Sequence, residues 1–181
     1  MFKSEPKRLV IKGFKGPRLP DDFESSCWDT IKQGLVAILN GHTPAHGYEA
    51  IYRAAEAMVR ANLGRELHSK LGQELTQHIQ RHLQPQLERA LRSGSTMSRD
   101  GLEDVLMLWA EFKRQLRVIS RLLLYLERVW AAENRQSTVE ELGISLFRNL
   151  LLTDEVTQRL VQGLRALMEK DRFTFVLQHM D

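Results

Sequence analysis

Apolar residues recur every third or fourth position through most of this chain, the spacing that lines one face of an α-helix. Trp28, Ile31, Leu35, Ile38 and Leu39 mark a first helix over residues 22–40, which Gly41 ends, and Pro44 lies in the loop after it. A second helix, 47–61, carries Tyr48, Ile51, Tyr52, Ala55, Met58 and Val59, with Glu49, Arg53, Glu56 and Arg60 on its other side. The third, 63–92, repeats leucine or isoleucine at every fourth residue from Leu63 to Leu91. Such a stripe drifts round the helix, so this helix is expected to cross several neighbours. Pro85 is expected to kink it, because proline lacks the backbone N–H of the helical ladder.

The sequence RSGSTMS reads as a loop, with Ser98 as N-cap of the next helix. From Leu102 to Trp130 no breaker interrupts the apolar positions, which predicts one very long helix or two joined near Phe112–Gln115. A loop at Asn134–Ser137 precedes a helix over 139–151. Thr153 then caps a last helix with Val156, Leu160, Leu164 and Leu167 expected to face inward. The body shows no alternating strand pattern, so the predicted class is all-α, a bundle of long helices.

The opening differs. In KRLVIKGFKGPRLP, an apolar core of Leu9 and the β-branched Val10 and Ile11, with nearby Phe14, sits among basic residues, and Pro17 and Pro20 favour an extended lead-in. The net charge of +3 is concentrated there: residues 1–20 hold six bases and one acid, +5, which leaves the other 161 residues at −2. A domain that coats nucleic acid over its whole surface is thereby disfavoured. The segment alone is compatible with a solvated tail, a phosphate-contacting arm, a membrane patch or a peptide that packs into another protein. Leu9, Val10 and Ile11 favour the last, since a solvated tail gains nothing from them.

Composition sets the remaining bounds. Hydrophobic residues at 43% and charged residues at 27% describe an ordinary globular chain, long enough to bury a core. No apolar run nears the roughly 20 residues of a membrane span, and the charged start lacks the apolar stretch of a secretory signal. The single cysteine, Cys27, suits a reducing compartment, so the expectation is an intracellular protein.

Catalytic chemistry finds little support. His78 and His82 share a helical face at a spacing zinc sites use, but no third ligand is evident and solvated helix histidines are expected. Cys27 beside Trp28 could act as a nucleophile only with a base held next to it, and reads instead as a small, half-buried helix residue. Phosphate-loop, dinucleotide, metalloprotease and serine-hydrolase patterns are absent. The expectation is a protein without catalytic residues, metal or cofactor.

Four stretches in order, CWDTIKQGLVAILN, YEAIYRAAEAMV, LLLYLERVW and LGISLFRNLLLTDEVTQRLVQGLRALMEKDR, resemble the N-terminal part of cullins, the scaffolds of cullin–RING ubiquitin ligases. The lead-in is similar to that of the cullin-4 branch. The resemblance covers nearly all of residues 22–172. The ending FTFVLQHMD departs from the polar, helix-continuing sequence expected after EKDR.

The resemblance implies an extended segment over 1–21, a five-helix first cullin repeat over 22–134 and the start of a second repeat over 135–181. It implies a non-catalytic scaffold whose adaptor docks on the second and fifth helices of the first repeat. Carried over position by position, the contact residues are Tyr48, Ile51, Tyr52 and Glu56, with Tyr125 and Arg128 across from them. For the cullin-4 branch the implied adaptor is the triple-β-propeller DNA-damage-binding protein, which brings substrate receptors. Leu9, Val10, Ile11 and Phe14 would grip one propeller as a strand-like peptide. The RING protein would bind only a C-terminal part not in this chain, with no direct nucleic acid or membrane contact. The competing expectation is a helical nucleic-acid-binding protein with a basic arm.

Overall fold

A computed structural model describes residues 20–92 and 99–178, with side chains as far as Met168. The described residues are helical and contain no strand. Leu9, Val10, Ile11, Phe14 and the Ser98 cap lie outside them.

Helix α1 (Phe23–Leu39) ends where Gly41, at φ +75°, turns the chain back, and α2 (Gly47–Arg60) returns along it. The close approach of these two helices rests on Gly34. A Cβ there would stand 2.2 Å from Cδ1 of Ile51, so the isoleucine occupies the space a side chain would need. Asn62, at φ 62°, ends α2 and leads into α3 (Gly64–His78).

The leucine stripe is core from Leu67 to Leu87, and α3 packs against α1, α2 and a later helix, as the drifting pattern predicts. Pro85 acts one turn earlier than expected. The chain passes from α3 through a π turn (Ile79–Leu83), where the Gln84 N–H donates to the Ile79 carbonyl, and into α4 (Gln84–Leu91) with proline in its first turn. The wider turn makes room for a ring that cannot donate. It also corrects the stripe. Each four-residue step advances about 40° round a 3.6-residue helix, and the π turn winds the stripe back, so Leu83 and Leu87 remain buried.

Helix α5 (Arg99–Leu122) runs unbroken through Phe112–Gln115, so the expected join is not there. Phe112, Gln115, Leu116 and Ile119 are all buried, and a helix end would expose backbone groups that this core could not satisfy. The interruption comes at Leu123, followed by a second π turn (Leu126–Ala131) and a short α6 (Ala132–Asn134). Helix α7 (Val139–Leu151) starts with a capping box in which Thr138 and Glu141 bond each other's backbone N–H. Thr153 caps α8 (Asp154–Gln178) as predicted, its hydroxyl accepting from the Val156 N–H.

Helix α8 corrects one expectation. Val156 and Leu160 are partly buried against the core, but Leu164 is 48% exposed, with Val161 and Met168 also exposed. Leu167, the last of the expected inward positions, is half-buried, so the apolar period is met at Val156, Leu160 and Leu167 and fails at Leu164.

Gly64 gives a first prediction. A Cβ there would lie 2.4 Å from Cγ of Trp130, against a ring that cannot bend away. Gly64→Ala should lose about 1–2 kcal/mol in urea denaturation, the clash outweighing alanine's helix propensity. A more stable variant would show that Trp130 can move.

Candidate functional site

Helix α2 buries Ile51, Ala55, Met58 and Val59 and turns Tyr48, Tyr52 and Glu56 outward at four-residue intervals. Tyr48 is 47% exposed and Tyr52 36%. Ile51, expected beside them as a contact residue, is fully buried and holds α2 on α1, so it supports this face from behind.

The second π turn lies against α2. Immediately before it stands half-buried Tyr125, and the Arg60 guanidinium lies over that ring, 5.7 Å from its centroid. Arg60 also pairs with Glu56 at 2.7 Å. Tyr125 first and Glu56 second hold the Arg60 pKa above the usual guanidinium value. Tyr52, Glu56, Arg60 and Tyr125 thus form one surface cluster. Arg60 is the member that sequence reasoning left among the charged residues of α2; only tertiary packing shows what it bridges.

Tyr48 faces a second cluster. Arg114 on α5 grips Glu111 through two donors, 2.8 and 2.6 Å, and Gln115 donates to the same carboxylate at 3.0 Å. Arg114 holds the Glu111 carboxyl below its usual range, and Glu111 and, more weakly, Tyr48 raise Arg114. Arg128 is exposed on the π turn.

The segment Tyr125–Trp130 divides its labour. Leu126 is core. Glu127 accepts from the Ser120 hydroxyl at 3.0 Å and the Val139 N–H at 2.8 Å, anchoring the start of α7 to the turn. Trp130 covers Gly64 and lies 5.3 Å from the His68 ring. Interior contacts therefore fix the turn that presents Tyr125 and Arg128.

The histidine pair is not what the sequence suggests. His82 is exposed, but His78 is only 8% exposed, stacked between His82 (5.1 Å) and Phe112 (6.4 Å), with Nε2 lacking a partner among the described residues. Burial, then the neighbouring His82, lowers its pKa to about 4. It lines an 800 Å³ groove between α4 and α5, which also takes in Leu87, Leu108 and Phe112. Among the described residues no three His, Cys, Asp or Glu side chains are placed to hold a metal, and no helix is long and apolar enough to cross a membrane. Cys27 is half-buried, and burial raises its thiol pKa, so the unreactive thiol form is favoured.

Known proteins place this architecture. The family model described as the cullin alpha solenoid domain matches residues 28–180. Cullin-4A of Homo sapiens is 27% identical over 175 residues, 92% of this chain and 22% of its own length. Cullin-3A of Arabidopsis thaliana is 24% identical, covering 98% of this chain and 24% of its own length. Cullin-4 of Schizosaccharomyces pombe is 23% identical, over 82% of this chain and 21% of its own length. The chain spans about a fifth to a quarter of these relatives. With a family match over most of its residues and an all-helical architecture, the chain belongs to the cullin family.

Proposed function

We propose that this chain is the adaptor-docking part of a cullin–RING ubiquitin ligase scaffold, working in the nucleus and cytoplasm by holding proteins together and not by catalysis. One observation carries the proposal: Tyr52 and Arg60 of α2 and Tyr125, just before the second π turn, lie in one surface cluster. Tyrosine and arginine are the side chains in which binding energy most often concentrates. Tyr48, Glu56 and Arg128 extend the face. The organisation proposed is a lead-in over 1–21, a first cullin repeat over 22–134 and the beginning of a second over 135–181. The exposed stripe of Val161, Leu164 and Met168 is where further helices of that second repeat would lie.

The adaptor proposed is the triple-β-propeller DNA-damage-binding protein, through which substrate receptors join. A cullin-3 as well as a cullin-4 relative matches over more than nine-tenths of the chain, 98% and 92%, so the overall match does not choose between the branches. The choice of propeller therefore rests on the lead-in, with Leu9, Val10, Ile11 and Phe14 as a strand-like peptide on one blade.

Residues 1–181 used as bait in a cell extract should recover this propeller protein. In calorimetry Tyr52→Ala and Tyr125→Ala should each weaken binding by about 1–2 kcal/mol. Circular dichroism should stay helical, since the buried leucines are untouched. Recovery of no propeller protein, or parental affinity in both variants, would overturn the assignment. If the lead-in acted instead as a nucleic-acid arm, the chain would bind DNA with an affinity falling steeply with salt.

A further inference from the structure

The docking face carries more positive charge than its ion pairs consume. Arg114, Arg117, Arg121 and Arg128 recur at spacings of three, four and seven, with Tyr125 among them, and all four arginines are exposed along one side of α5 and the π turn. Arg114 is committed to Glu111. No carboxylate among the described residues forms an ion pair with Arg117, Arg121 or Arg128. Since residues 21–181 together carry −2, this stripe is a local concentration and not a by-product of a basic body.

We propose that the stripe recognises carboxylates: it fits an acidic protein surface and extends the docking face along α5, so the inference rests on the docking reading. Residue type carries the argument. A guanidinium fork pairs two donors with one carboxylate, as Arg114 already does with Glu111. Tyr48, Tyr52 and Tyr125 supply apolar area beside the charges, and arginine with tyrosine, not lysine, is the composition of protein interfaces. The one lysine of α5, Lys113, is half-buried. Unpaired charges at the surface also act over distance, so the stripe steers the partner as well as gripping it.

A labelled peptide of alternating glutamate and leucine and a short DNA duplex, each titrated against the full chain by fluorescence anisotropy, test this. Arg117→Gln/Arg121→Gln/Arg128→Gln should lower peptide affinity about tenfold. Lys7→Gln/Arg8→Gln/Lys12→Gln should lower it much less. Unchanged peptide binding in the first variant, or an equal loss in the second, would overturn the inference, as would tighter duplex than peptide binding through the stripe. A propeller adaptor captured through Tyr52 and Tyr125, with an association rate indifferent to the arginine variant, would sink this inference and leave docking intact. Peptide binding through the stripe in a chain that captures no propeller protein would overturn docking alone.

Discussion

Phe112→Ala should cost this protein about 3–5 kcal/mol of stability, the range for deleting a buried aromatic ring. Phe112 is 1% exposed, its ring lies 5.5 Å from Phe147 and 6.4 Å from His78, and Trp109 closes on Phe147 at 4.8 Å. It therefore ties α5 to α7 on one side and to the end of α3 on the other. Truncation would leave a hole that rigid helices cannot collapse into, beside a groove already open to water. Urea unfolding at neutral pH measures the loss, and an unchanged slope would show that the unfolding transition stayed the same. Phe147→Ala should fall in the same range and should not add to the first, because the two rings share one contact. A loss below about 1 kcal/mol would mean that the ring packs at a yielding helix junction.

A junction near Phe112–Gln115 was one of the two arrangements the sequence allowed, the other being one very long helix. Helix positions and caps are local properties, and residues such as Gly41 and Thr153 state them directly. The division of Leu102–Trp130 is not local. No breaker marks it, and the π turn at Leu126–Ala131 exists because Leu126, Glu127 and Trp130 must each reach a different neighbour. Pro85 was legible as a disturbance but not in its form, since relief by a wider turn one register earlier depends on the leucines being held in place.

The face proposed for docking was legible only in part. Tyr48, Tyr52 and Tyr125 were readable through resemblance, and the structure brings Tyr52 and Tyr125 together through Arg60. Ile51 was misplaced because it is Tyr52's neighbour in the chain, whereas the helical period sets it with Ala55, Met58 and Val59 on the buried side, over Gly34. The arginine stripe left a signal in its spacing, but a net charge of −2 over the body hid it. Leu164 fails for the opposite reason. An apolar period predicts a buried face, yet burial needs a neighbour, and Leu164 stays 48% exposed.

Acid should weaken the fold earlier than its carboxylates require, through His78. The imidazole protonates near pH 6.5 in an unfolded chain but only at about pH 4 in this fold, held down by burial and then by His82. Between these values the unfolded state binds more protons, so stability falls as pH drops. Its contribution is complete above about pH 6.5 and gone near pH 4. The loss should reach about 2–3 kcal/mol, allowing for screening at the open groove. Glu111, lowered by Arg114, and Glu141, lowered by the Thr138 backbone N–H, add their own losses only as pH falls into and below the ordinary carboxylate range. Urea midpoints at pH 7.5 and 5.0 separate the two effects. His78→Phe keeps a ring against Phe112 and has nothing to protonate, so its midpoint should hardly change over that interval while the parent's drops. His82→Asn, altering an exposed neighbour, should retain most of the parent's slope. Parallel profiles for the parent and His78→Phe would mean that another group senses the acid.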